Sequence, residues 1–306
     1  MAVTSQAIPA AELVDRAADC PVVIGRNLVE IAYKQAAAQL LTNEVGNVAT
    51  GDHSLAGYDR RRLTQRFKHR LWKGDSSGTV WYVVVDVGTD EQWTDALVIG
   101  PGHNLAGLTV TVEADSTTPS GDPWGTTILS GTIGASTVAT VLLHASTMYK
   151  ARYWRISIDG GTFTPEATSF WLGKAIQFPT KPLFSSSPPN TYAGGAIEHV
   201  TTGGIPYRYI TQGALRERDL AWMIDQNHAG SFFSNADYGL DDFFVNDNAL
   251  YGGNQNFWYV DEPTTAPNSA LLVRLGSARH RPMLKRGGSG DAGATLINWQ
   301  ILEVGG

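Results

Sequence analysis

Val80-Trp81-Tyr82-Val83-Val84-Val85-Asp86-Val87-Gly88, followed after a polar turn by Ala96-Leu97-Val98-Ile99-Gly100-Pro101-Gly102-His103-Asn104-Leu105, is the stretch that decides how this chain folds. Trp81 to Val87 is β-branched and aromatic almost throughout, which suits a strand inside a sheet and fits a helix poorly. Gly88 ends it, and Thr89-Asp90-Glu91 supplies the turn. Ala96 to Ile99 reads as a second strand, stopped by Gly100-Pro101-Gly102. Leu108 to Ala114 alternates apolar and polar residues, the signature of a third strand with one face in a core. Short Gly/Pro/Asp turns between them predict an antiparallel arrangement, because parallel neighbours need long crossovers.

Composition agrees. The chain of 306 residues has room for two domains and carries 33 glycines, nine tryptophans and 11 tyrosines, a mix that favours turn-rich β structure. Its charged share of 17% is low, and a formal charge of −6 weighs against nucleic-acid binding by the chain as a whole. Cys20 is the only cysteine, so no intrachain disulfide can form, and it reads as a small buried residue rather than a nucleophile. No apolar run reaches the ~18 residues of a membrane span. Met1 to Gln6 lacks the basic start and apolar core of a signal peptide, which implies assembly in the cytoplasm.

Residues 1–59 read as an N-terminal arm that packs on a neighbour. Pro9 to Arg16 is a candidate short helix with proline in its first turn. Asn27 to Leu41 carries a helical stripe, with Asn27 as a cap and Glu30 three residues on. Asp59 to Lys73 holds the basic cluster Arg60, Arg61, Arg62, Arg66, Lys68, His69, Arg70 and Lys73. A phosphate or nucleic-acid contact is one reading. A solvated face, or ion pairs to an acidic neighbouring subunit, is preferred, because no aromatics interleave with the cations.

Asp115 to Gly125 is a Ser/Thr/Pro/Gly/Asp loop, and short apolar pieces follow between Ile128 and Leu143. Ala151-Arg152-Tyr153-Trp154-Arg155-Ile156-Ser157-Ile158 is a strand. It turns Tyr153, Arg155 and Ser157 one way and Arg152, Trp154, Ile156 and Ile158 the other. Asp159-Gly160-Gly161 makes a turn, and Phe170 to Ile176 is a further strand. In their order, Trp81 to Gly88, Gly102-His103-Asn104-Leu105, Thr109 to Ala114 and Arg152-Tyr153-Trp154-Arg155 resemble the galactose-binding-like, discoidin-type jelly-roll sandwich over residues 60–178. Forms with the Gly-His-Asn-Leu turn are similar to modules of tailed-phage virion proteins. No sugar- or calcium-binding loop of that family can be matched residue by residue.

Gln177 to Asn190, with Pro179, Pro182, Ser185 to Ser187 and Pro188-Pro189, reads as an extended linker with little reason to pack, its centre at 179–190. In the second half, Ala196 to Val200 and Tyr207 to Ile210 predict a hairpin. Arg216 to His228 predicts a helix on Leu220, Met223 and Ile224, and strands follow at Asn256 to Val260, Ala270 to Leu275 and Leu296 to Val304. That order, over residues 191–306, is similar to the distal-tail class of phage proteins, which are β-sandwiches with one flanking helix that build rings.

Catalytic and metal motifs are missing. Asp237, Asp241, Asp242 and Asp247 lack the ligand spacing of a calcium loop. Asp241 with Glu262 could be imagined as a glycosidase pair, but a polar loop is preferred. The seven histidines show no i, i+4 pair, and His103 reads as a locally hydrogen-bonded turn residue. Gly287-Gly288-Ser289-Gly290 lacks the setting of a phosphate loop, and no serine sits in a nucleophile elbow.

The sequence therefore predicts a mainly β protein: a jelly-roll sandwich, then a second sandwich with one flanking helix. It is read as a non-enzymatic component of a tailed-bacteriophage virion, in the tail or baseplate. It would need no cofactor or metal and would act as a homo-oligomeric ring or trimer through contacts with other virion proteins. Arg60, Arg61, Arg62, Arg66, Arg70, Phe243, Phe244 and Trp258 are its candidate interface residues. The alternative is a carbohydrate-binding module for attachment to a host glycan, with Trp124 and Trp258 as candidate sugar contacts.

Overall fold

A computed structural model describes residues 3–7, 20–34, 39–43, 53–64, 70–88, 90–117, 124–183, 191–193, 196–200, 206–210, 215–225, 239–240, 256–266, 270–283 and 294–304. The elements run β1 (Thr4–Ala7), β2 (Val22–Gly25), α1 (Leu28–Lys34), β3 (Gln39–Asn43), a 3-10 turn (Arg60–Thr64), β4 (Trp72–Lys73) and β5 (Gly78–Asp86). Then come β6 (Gln92–Thr94), β7 (Ala96–Ile99), β8 (Thr109–Asp115), β9 (Thr126–Thr132), β10 (Thr140–Leu143), β11 (Thr147–Ala151), β12 (Tyr153–Phe163), β13 (Glu166–Ala167) and β14 (Phe170–Gln177). The second half contributes β15 (Thr191–Ala193), β16 (Ala196–Val200), β17 (Pro206–Ile210), β18 (Leu215–Asp225), β19 (Asn256–Val260), β20 (Leu271–Met283) and β21 (Ala294–Glu303).

The chain is a β-sandwich protein. A five-stranded sheet, ordered β3-β5-β12-β8-β9, faces strands β10-β7-β14 of a nine-stranded sheet. Between them lie Val83 and Val85 from β5, Trp154, Ile156 and Ile158 from β12, Val110 and Val112 from β8, and Leu97, Ile99, Phe170 and Leu172 from the opposing strands. Leu28, Val29 and Ala32 of α1 join the same core. The three strands that open the sequence reading are not neighbours: β5 and β8 both pair with β12, while β7 lies in the other sheet. Short turns here carry the chain across the sandwich instead of closing hairpins, which is how both faces acquire alternating apolar residues.

Two long runs change sheets part-way. Gln92 to Ile99 is broken at Asp95, and Thr140 to Ala151 at His144-Ala145-Ser146, so that β6 pairs with β11 and β7 with β10. Asp95 is fully buried at this break. Its amide donates to the Gly173 carbonyl (3.2 Å), its carbonyl accepts from the His144 amide (2.8 Å), and its carboxylate accepts from the Ala175 amide (2.7 Å). The imidazole of His144 accepts from the amides of Ser146 (3.2 Å) and Thr147 (3.0 Å), closing the bend between β10 and β11.

Three strands from the first 59 residues pair within this chain's own sheets. β1 pairs with β11, β3 is the edge strand beside β5, and β2 lies between β14 and β19. Asn27 caps α1 as its sequence position predicts, accepting the Val29 amide at 3.1 Å. Glu30 pairs with Lys34 one turn further on. The predicted helix to Leu41 stops earlier, since Gln39 to Asn43 is strand; the Pro9–Arg16 helix lies outside the described residues.

One nine-stranded sheet, ordered β10-β7-β14-β2-β19-β20-β21-β18-β15, crosses from the first half to the second. Phe178, at the head of the expected linker, is fully buried, stacked on Trp222 (4.2 Å between centroids) and edge-on to Trp299 (5.1 Å). The backbone stays tied to the second half as far as Leu183, whose amide donates to the Ala221 carbonyl (2.8 Å) while its side chain is exposed. The helix expected at Arg216–His228 is strand β18. Leu220, Trp222 and Ile224 are buried while Asp219 and Met223 are exposed, a period of two that outweighs the helical spacing of Leu220, Met223 and Ile224. The hairpin predicted at residues 196–210 forms, as β16 paired with β17. No helix among the described residues is long and apolar enough to cross a membrane.

Candidate functional site

At one end of the sandwich, three loop segments converge on Tyr58. Asp59 caps the 3-10 turn, its carboxylate accepting the Arg61 amide (2.6 Å) and its carbonyl the Arg62 amide (2.9 Å). The Tyr58 amide donates to the Leu55 carbonyl (2.8 Å), with Gly57 at φ 84° between them, and the Leu55 amide donates to Lys73 (2.8 Å). Trp72 anchors this turn from below, donating its indole N–H to Ser54 Oγ (2.8 Å) and packing edge-on against Trp81 at 5.8 Å. A Cβ at Gly74 would come within 2.7 Å of the Trp81 ring, so only glycine fits there.

This scaffold fixes a ring and three charges. The Arg62 guanidinium lies 5.0 Å from the centre of the Tyr58 ring and donates to the Leu71 carbonyl (2.9 Å). Lys73 Nζ is 5.1 Å from the same ring and 2.6 Å from Glu166 Oε1. The hydrogen bond to Glu166 raises the Lys73 pKa, holding the ammonium charged. Glu166 is positioned by the pairing of β13 with β4 and by Asn104. Asn104 accepts the Glu166 amide (2.8 Å) and donates its own amide to the Glu166 carbonyl (3.1 Å) and its side-chain amide to the Thr164 carbonyl (2.8 Å). Asn104 is thus a clamp on this rim, with both ends of its side chain already engaged.

His103 is the turn residue its sequence position predicts: nearly buried, with Nδ1 accepting the Leu105 amide (3.2 Å). Burial lowers its pKa, keeping it neutral.

A second polar cluster lies on the other face of the five-stranded sheet. Arg155 is almost buried and pairs with Glu113 (Nε to Oε2, 2.6 Å), and Ser157 donates to the same carboxylate oxygen (3.1 Å). The guanidinium sits between the rings of Tyr82 (4.7 Å) and Trp124 (5.0 Å). This stack pins the end of the Asp115–Gly125 loop to the sheet. A nearby pair does the same for the β5 end, with Arg152 reaching Asp86 at 2.9 and 3.0 Å.

Both tryptophans that the alternative reading offers as sugar contacts are inside the protein. Trp124 is 2% exposed and Trp258 5%. Trp258 pairs with Ile24 and packs in a core drawn from both halves, with Val22, Val98 and Trp171. Neither ring offers a face to a ligand or a partner in this fold. Arg60 and Arg62 are half-buried, and Arg61 and Arg70 exposed. Arg66, Phe243 and Phe244 lie outside the described residues, as do the acidic residues 237–247 and the glycine-rich loop near Gly288. Sequence reasoning missed Tyr58 and Glu166. The only trace of the first was its place in Gly57-Tyr58-Asp59, at the threshold of the basic cluster. Among the described residues no group of three His, Cys, Asp or Glu side chains could hold a metal.

No protein-family profile matches the chain, and no curated protein sequence matches it. Solved structures do. A GH29 fucosidase of Ruminococcus gnavus in complex with fucose is 20% identical over 51% of this chain and 28% of that one, with a TM-score of 0.36. The CBM32-1 and CBM32-2 domains of Clostridium perfringens ZmpB in complex with GalNAc are 13% identical over 56% of this chain and 39% of theirs, also at 0.36. A chitosan-binding module from a Paenibacillus chitosanase/glucanase is 15% identical over 49% of this chain and 99% of its own, at 0.34. The chain thus spans well under half the length of the fucosidase and of the ZmpB fragment.

Proposed function

We propose that this chain is a non-catalytic, glycan-binding β-sandwich module whose sugar-binding surface is the rim around Tyr58. The observation that carries the reading is the set of groups held there: one aromatic ring, a guanidinium and an ammonium about it at 5.0 and 5.1 Å, and a carboxylate on the ammonium. A sugar ring has an apolar C–H face and pairs of hydroxyls, and it is held by an aromatic side chain beside planar or charged hydrogen-bonding groups. Arg62 is held by the Leu71 carbonyl and Lys73 by Glu166, so little ordering entropy is lost on binding.

The test is a glycan array probed with the full chain, then with Tyr58→Ala and Glu166→Gln. Both substitutions are expected to abolish the glycan signal while leaving the melting temperature close to that of the parent. Full binding by Tyr58→Ala, or no glycan bound by the parent, overturns the proposal. Light scattering on the same preparations then decides the reading from sequence order: rings or trimers without glycan binding return the chain to virion assembly.

A further inference from the structure

Resting on the glycan-binding reading, we infer that the ligand of the Tyr58 rim is an acidic glycan, whose carboxylate or sulfate is taken by Arg61, Arg62 and Arg70. The rim is unlike the rest of the chain in charge. Arg60, Arg61, Arg62, Arg70 and Lys73 are set against Asp59, Asp75 and Glu166, in a protein with a formal charge of −6. All three carboxylates are already engaged, Asp59 by the Arg61 amide, Glu166 by Lys73 and Asp75 by the Ser76 hydroxyl. The cations also converge rather than scatter. Arg62 bonds the carbonyl of Leu71, which brings the Arg70–Leu71 segment against the 3-10 turn bearing Arg61. Arg62 and Lys73 approach one ring.

Arginine is suited to this task because its planar fork binds a carboxylate or sulfate through two parallel hydrogen bonds. Arg62 spends one of its N–H groups on Leu71 and keeps others. Asp59, Asp75 and Glu166 disfavour a continuous polyphosphate, which would bring a charge to each of them. A glycan with one acidic group per few rings can place that group on the arginines and neutral hydroxyls elsewhere. The single Tyr58 ring likewise gives no ladder for stacked bases.

The experiment is calorimetric titration of the full chain with three probes: oligogalacturonate, a neutral galactose oligosaccharide of equal length, and a single-stranded oligonucleotide of matched charge. In 50 mM salt the acidic saccharide is expected to bind at least about tenfold tighter than the neutral one, the worth of one charge-assisted hydrogen-bond pair. That advantage should shrink at 200 mM salt through screening. In Arg61→Ser/Arg70→Ser the ratio of acidic to neutral affinity should fall towards one. Equal affinity for the acidic and neutral saccharides overturns this inference and leaves the glycan-binding reading standing. Oligonucleotide binding as tight as oligogalacturonate also overturns it, since charge alone would then suffice. If neither saccharide binds, this inference falls, and the glycan array decides the glycan-binding reading separately.

Discussion

Removing the Arg155 guanidinium while keeping its bulk, as in Arg155→Met, should strip Glu113 of its ion pair in a place where little water can replace it. The side chains of Arg155 and Glu113 are only 5% and 14% exposed, and Ser157 would be the remaining donor described at the carboxylate. Breaking one side of a buried pair costs about 3–5 kcal/mol, because the other charge stays buried. Removing both charges, as in Glu113→Leu/Arg155→Met, should restore most of that loss, since the thioether still packs between Tyr82 and Trp124. Each single mutant strands the other charge, so the coupling free energy of the double-mutant cycle should exceed about 3 kcal/mol. Urea unfolding followed by tryptophan fluorescence measures it directly. In a melt, at about 2.1 cal/mol/K per residue, the single mutant should drop by roughly 5–8 °C. Additive single and double mutants, with coupling below about 0.5 kcal/mol, would refute the idea that this pair is desolvated and acts as a unit.

Three further outcomes are expected. Trp258→Ala should cost about 3–5 kcal/mol through the cavity it leaves among Val22, Val98 and Trp171, seen as a global fall in urea midpoint for both halves. The parent should lose stability as pH falls below the ordinary histidine value of 6.5, because the unfolded chain protonates His103 there while burial keeps the folded imidazole neutral to lower pH. His103→Asn, whose side-chain oxygen can still accept the Leu105 amide, should flatten that slope in unfolding curves taken from pH 7.5 to pH 5. Residues 179–306 expressed alone should give poorly dispersed amide spectra, since β19 would lack β2 and the core would lack Phe178; a well-dispersed spectrum would contradict this.

What could be read from the sequence follows from where the determining contacts lie. β5, β12 and β14 are legible because their own residues carry the pattern: apolar on alternate positions, or on all of them where both faces are covered. β18 misleads because Leu220, Met223 and Ile224 satisfy a helical period, which the pairing with β21 and the exposure of Met223 rule out. β2 was overlooked because Val22–Gly25 is a four-residue run whose partners are some 150 and 235 positions away. The same distance effect shaped the reading of the rim. Its arginines are consecutive and obvious, whereas Glu166 reaches Lys73 from 93 residues downstream. Trp124 and Trp258 are candidate sugar contacts only under the alternative reading, because a large aromatic side chain in a loop-rich sequence suits a ligand platform as well as a core.

The placement of β2 also fixes an order of events as the chain is made. Val22–Gly25 leaves the ribosome about 230 residues ahead of one of its two partners, Asn256–Val260. At about 5–20 residues per second, the strand must wait roughly 10–50 s with one edge unpaired. During that interval a short all-apolar segment stands open to any other nascent strand, and native pairing must then close across most of the chain, which is slow for entropic reasons. Yield on expression should therefore respond more to what happens at Val22–Gly25 during synthesis than to changes of equal size on the finished surface.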